Sequence, residues 1–126
     1  MPALMPTTNV TRRGTVLTLE DGWDAFITRR ITLTSNSGAA LKAEGSDHLI
    51  RVHGYLSGTT YGIDMGAGRN ATGNVLEVNA QGDVLAAFMA VLMRGTSRLV
   101  NSGEITGSAF GLGLQTGAKG PGDWVQ

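Results

Sequence analysis

One pattern recurs along this chain every 22 to 27 residues, and that recurrence limits the available folds more than any other feature. One copy reads Ile50-Arg51-Val52-His53-Gly54-Tyr55-Leu56-Ser57-Gly58, followed by Tyr61-Gly62-Ile63-Asp64-Met65. A second reads Leu76-Glu77-Val78-Asn79, then Asp83-Val84-Leu85-Ala86, then Phe88-Met89-Ala90-Val91-Leu92. A third reads Leu99-Val100-Asn101-Ser102-Gly103-Glu104-Ile105-Thr106-Gly107, then Phe110-Gly111-Leu112-Gly113-Leu114. The matching sets Val52, Val78, Val100 and Tyr61, Phe88, Phe110 give steps of 26 and 22, and of 27 and 22. A fainter copy lies upstream. Ala39-Ala40-Leu41-Lys42 precedes Tyr61-Gly62-Ile63-Asp64 by 22 residues, and Ile31-Thr32-Leu33 would open that unit. Thr15 to Leu19 and Ala25 to Thr28 match poorly and suit an earlier coil or a cap.

Each unit holds three short apolar runs separated by Gly, Asn or Ser. Such runs are short for helices and are bounded by turn formers. In the third run Tyr61, Ile63 and Met65 share one face by period-2 alternation. Phe88, Ala90 and Leu92 would be their equivalents, as would Phe110, Leu112 and Leu114. Stacked at the ~4.8 Å strand spacing, the aromatic residues would form one internal ladder and the aliphatics another. A single unit cannot bury these groups alone, so stability must come from stacking. His53, Asn79 and Asn101 align at the turn after the first run. There a polar ladder would satisfy the turn amides. The expected fold is all-β: a right-handed parallel β-helix, or β-solenoid, of about four coils. Residues 1–30 form an N-terminal cap or incomplete coil, and residues 31–126 form the coils. Leu85 to Met93 is rich in helix formers, so a buried helix segment is the alternative there.

The phrases Val100-Asn101-Ser102-Gly103-Glu104-Ile105-Thr106-Gly107 and Tyr61-Gly62-Ile63-Asp64-Met65-Gly66-Ala67-Gly68 resemble the repeats of bacterial surface β-helices. Those occur in autotransporter passengers, filamentous-haemagglutinin-like adhesins and the solenoid parts of RTX-associated secreted proteins. The resemblance covers about residues 31 to 126 and specifies architecture better than activity. It implies an extracellular or cell-surface protein of a bacterium or phage, exported without a cleaved N-terminal signal. The N-terminal segment, with Pro2 and Pro6, has no basic stretch followed by an apolar one.

Composition narrows the function classes. Ten basic residues balance ten acidic ones, so no electrostatic case exists for nucleic acid or an anionic membrane as partner. The apolar run Leu85 to Met93 is far short of the ~20 residues a membrane span needs. Nineteen glycines with three prolines suit an all-β chain with many turns. The absence of cysteine excludes disulfides, thiolate metal sites and cysteine nucleophiles.

Candidate chemistry is sparse. Gly66-Ala67-Gly68-Arg69-Asn70-Ala71 resembles a calcium-binding nonapeptide loop, but Asn70 stands at the aspartate position beside Arg69. The cluster Glu20-Asp21-Gly22-Trp23-Asp24 could stack a sugar on Trp23 beside the carboxylates of Asp21 and Asp24. A capping loop is the competing reading. Asp64 should point outward, with Val91 and Gly113 at equivalent positions, so no acidic cluster forms around it. Glu77 should face Arg51 across adjacent coils as an ion pair. His48 and His53, five apart, do not share a strand face, so no metal is expected there. No cofactor is expected.

Met89, Val91 and Met93 would form an apolar outer stripe, an interface for a second copy or a neighbouring solenoid. Trp124 joins that list of interface residues, because Gly122 to Gln126 aligns with the opening strand of a coil, Val125 matching Val100. The leading expectation is thus a non-catalytic structural or interaction module that self-associates or packs on a partner. The alternative is a glycan-binding or glycan-cleaving β-helix, with polysaccharide as partner, and a calcium-responsive solenoid stands third.

Overall fold

The computed structural model describes residues 3–67, 71–94, 97–115 and 124–125. Short apolar runs bounded by turn formers become short strands, and no helix occurs among the described residues. Leu85 to Met93 is therefore not helical, and it is divided between two strands. The sixteen strands among the described residues fall into five triplets and one further strand. The triplets are Ala3–Leu4, Val10–Arg12 and Leu17–Leu19 (β1–β3); Asp24–Ile27, Thr32–Ser35 and Ala39–Glu44 (β4–β6); Leu49–Val52, Tyr55–Gly58 and Tyr61–Ala67 (β7–β9); Asn74–Val78, Asp83–Ala86 and Met89–Arg94 (β10–β12); and Ser97–Asn101, Glu104–Gly107 and Phe110–Gln115 (β13–β15). Trp124–Val125 forms β16.

Like members of successive triplets pair. The first sheet runs β1-β4-β7-β10-β13-β16, the second β2-β5-β8-β11-β14 and the third β3-β6-β9-β12-β15. Every pairing is parallel. The chain is a parallel β-solenoid of three sheets. Strands of four or more residues run through about four of its turns, because the strands of the first triplet have only two or three.

The core lies between the sheets, fed by alternate residues. Ala25, Ile27, Ile50, Val52, Leu76, Val78 and Leu99 enter from the first sheet. Leu33, Leu56 and Val84 enter from the second, and Leu41, Ala43, Ile63, Met65, Val91 and Met93 from the third. In-register pairing stacks like on like, as in Leu17–Leu41–Ile63–Val91. Each fully buried Leu, Ile or Val contributes about 1.5–3 kcal/mol, and only the neighbouring coils supply the surroundings that bury it.

Several registers differ from the sequence expectation by one residue. Met89, not Phe88, pairs with both Tyr61 and Phe110. A one-residue shift turns every side chain to the opposite face. Val91 and Met93 are consequently core residues, 0% and 1% exposed, and Met89 is half-buried. The expected outer stripe of Met89, Val91 and Met93 does not exist. Phe88 sits in the corner before β12, 43% exposed, and its ring meets Tyr61 edge-on at 6.4 Å instead of forming an internal ladder. In this register the space beside Gly62 is filled. A Cβ there would lie 2.6 Å from Val84 Cγ1 and 2.8 Å from the Ala90 carbonyl oxygen. Asp64 pairs with Lys42 and Leu92, not with Val91.

The first run shows a similar slip at one end. Val52 pairs with Val78 as expected, but Val78 pairs with Asn101, and Val100 with Glu77. Val125 correspondingly pairs with Leu99. Ala39 and Leu41 pair with Tyr61 and Ile63 as the repeat predicts. The segment around Thr32 and Leu33 belongs to the second sheet, beside β8, and β4 opens that coil. Residues 3–27 supply β1 to β4 to the same three sheets.

Candidate functional site

The acidic cluster expected near the N-terminus lies at the corner between the third and first sheets. The chain turns there once per coil, and each turn leaves backbone N–H groups that need acceptors. Asp21 accepts a hydrogen bond from the Ser46 N–H at 2.7 Å. Ser46 Oγ in turn accepts from the Thr72 N–H at 2.8 Å. Asp24 accepts from the Leu49 N–H at 2.8 Å. Asn74 accepts from the His48 N–H and donates to the Gly45 carbonyl, both at 3.0 Å. The turn itself is left-handed at one level of the corner: φ is 80° at Gly22, 62° at Asp47 and 71° at Gly73. Asp is among the few residues besides Gly that accept this conformation.

Each aspartate therefore gives one carboxylate oxygen to an amide of the next coil. Such a bond contributes about 1.5–3 kcal/mol for a charged acceptor. Trp23 is half-buried against the core. With Leu4, Thr18 and Glu20 it lines a recess of about 260 Å³. Of the three residues expected to meet a ligand, only Trp23 borders this recess, and Glu20 is the acidic residue beside it. Leu4 could not be found from spacing, because it lies 19 residues before Trp23 and reaches it through the stacking of β1 on β4.

The corner between the first and second sheets carries the polar ladder. Asn79 Nδ2 lies 2.8 Å from His53 Nδ1, and Asn79 Oδ1 accepts from the Gln81 N–H at 3.0 Å. Asn101 makes the same local turn, accepting from the Gly103 N–H at 3.0 Å, although it sits one register position earlier. His53 also meets the Phe26 ring, with centroids 4.8 Å apart. On the outer face beside it, Arg51 Nε meets Glu77 Oε1 at 3.0 Å, the ion pair expected from the sequence.

Among the described residues, no group of three or more His, Asp or Glu is placed to hold a metal ion. The nonapeptide-like loop includes residues 68–70, which lie outside the described residues. No helix among the described residues is long and apolar enough to cross a membrane. Trp124, expected at an interface, contributes its backbone to the first sheet beside Arg98. Compared with protein-family models, curated proteins and solved structures, the chain finds no match.

Proposed function

We propose that this chain is a non-catalytic structural or interaction module, a β-helix at a cell or particle surface or secreted from the cell. One observation carries the reading. The two carboxylates expected at a site, Asp21 and Asp24, bind the backbone of neighbouring coils, as do His48 and Asn74 beside them. Side chains used in this way stiffen a spacer. The resemblance of Val100 to Gly107 to bacterial surface repeats supports the surface location. Self-association or packing on a partner belongs to the same proposal. The test combines sedimentation over a wide concentration range with Asp24→Asn. The module reading expects association that grows with concentration, and an Asp24→Asn protein that differs from wild type in melting temperature alone. A strictly monomeric chain whose only ligand is a glycan released by Asp24→Asn at unchanged melting temperature would overturn it.

The recess beside Trp23 favours a second reading, glycan binding. An indole face next to the Glu20 carboxylate suits a sugar ring. Titration with acidic oligosaccharides, followed by tryptophan fluorescence in wild type and Trp23→Ala, tests it. A saturable change that Trp23→Ala abolishes supports the reading, and no response across the panel rejects it.

A further inference from the structure

His48 is a buried group whose ring protonation neither reading of function uses. It is 1% exposed and follows the left-handed Asp47 at the corner between the third and first sheets. Its backbone is held on both sides. The N–H donates to Asn74 Oδ1 at 3.0 Å, and the carbonyl accepts from the Val75 N–H at 2.8 Å. The ring is held as firmly. Nδ1 lies 2.5 Å from the carbonyl oxygen of Trp23 in the coil before, and Nε2 lies 2.6 Å from that of Glu44 in its own coil.

A carbonyl oxygen can only accept a hydrogen bond. Each contact is therefore a bond only when that ring nitrogen carries a proton. A neutral imidazole has one N–H and one lone pair. In either tautomer, one lone pair would face a carbonyl oxygen at hydrogen-bond distance in a buried corner. The doubly protonated ring alone satisfies both contacts. His53 shows the opposite arrangement. Asn79 Oδ1 is taken by the Gln81 N–H, so Nδ2 is the group that faces His53 Nδ1, and it donates. That bond requires an unprotonated Nδ1.

We propose that His48 is a buried imidazolium clip joining two coils, and that losing a ring proton opens this corner. The acidic groups around the corner are Glu20, Asp21 and Asp24 from the coil before, and Glu44 and Asp47 from its own. The next coil contributes neutral Thr72, Gly73 and Asn74. Of the cations on the adjoining strands, Lys42 on β6 pairs in register with Asp64, and Arg51 on β7 faces Glu77 on the outer surface. The partners of the ring are main-chain carbonyls, so the clip acts on the turn itself. Its contribution is complete while both nitrogens are protonated and is lost as pH rises through the loss of one proton.

The test uses the full chain labelled with ¹⁵N. Long-range ¹H–¹⁵N spectra read the protonation of each ring nitrogen, and thermal melts are recorded from pH 5 to pH 9. The expected spectrum at pH 6 has both nitrogens of His48 protonated. The wild-type melting temperature is expected to fall by about 5 °C as pH rises and that proton is lost, the size of a lost bond in a domain of this length. His53→Gln should keep that fall and His48→Gln should remove it. An unprotonated nitrogen on His48 in the folded chain at pH 6 overturns the proposal, as does an equal fall in His48→Gln. Should His48→Gln fail to fold, the wild-type spectra decide alone.

Discussion

Replacing Gly54 by alanine isolates how closely successive coils approach. The added Cβ would lie 2.3 Å from the Thr28 carbonyl oxygen and 2.4 Å from that of Ile31. Both obstacles are backbone, so no rotamer change relieves them. Even a close C–H···O contact needs a C···O distance of about 3.3 Å, so the two coils must separate locally by roughly 1 Å. Three bonds cross that region: His53 N–H to the Ile27 carbonyl at 2.8 Å, Tyr55 N–H to the Ile31 carbonyl at 3.0 Å, and Asp83 N–H to the Gly54 carbonyl at 2.9 Å. Weakening two of them at about 1 kcal/mol each, with about 1–3 kcal/mol for overpacking, gives a loss of about 3–5 kcal/mol. That corresponds to a fall in melting temperature of about 10–20 °C.

Two other glycines serve as controls. At Gly38 the nearest atom to an added Cβ is 3.4 Å away and the backbone is not left-handed, so Gly38→Ala should stay within about 0.5 kcal/mol of wild type. At Gly14 nothing lies within 4 Å but φ is +71°, so Gly14→Ala should lose about 1–2 kcal/mol from backbone strain alone. Urea unfolding followed by circular dichroism measures all three. The reasoning fails if Gly54→Ala is as stable as wild type, or if Gly38→Ala costs as much as Gly54→Ala.

Two further experiments address register and surface electrostatics. Val91→Lys should destabilise the chain by more than about 4 kcal/mol, because it buries an unpaired ammonium in the core, whereas half-buried Met89 should accept lysine at much smaller cost. Equal tolerance at both positions in urea titrations would restore the outward stripe and reject the observed register. The Arg51–Glu77 pair, with side chains 52% and 41% exposed, should give a coupling below about 1 kcal/mol in a double-mutant cycle, shrinking further in 0.5 M salt. A larger, salt-independent coupling would mean that the pair is shielded from solvent.

The architecture was legible in the residues because a solenoid repeats its local rules. Turn formers bracket short apolar runs, and Val52 and Val78, or Leu41 and Ile63, recur at positions that pair directly. The Arg51–Glu77 contact followed from the same logic, since neighbouring coils place aligned outer residues side by side. The site was less legible. Asp21, Trp23 and Asp24 were found as a cluster, but their acceptor and packing roles depend on Ser46, Leu49 and Leu4, which are distant in the chain.

The sequence alone determined that the chain repeats, that its repeating units are β-like, and that its stability must come from stacking; the structure removed the helix alternative at Leu85 to Met93. Those properties are set by composition and period, which act locally. Only the tertiary structure decided the exact register. Spacing aligned Phe88 with Tyr61 and Phe110, whereas the stacked coils pair Met89 with both. The same holds for His48. Its isolated side chain has no fixed role, and two carbonyls from different coils, 2.5 and 2.6 Å away, make its ring a clip. Contacts between coils are long-range in sequence, so steric exclusion and hydrogen-bond partners at the corners become visible only once the coils are stacked.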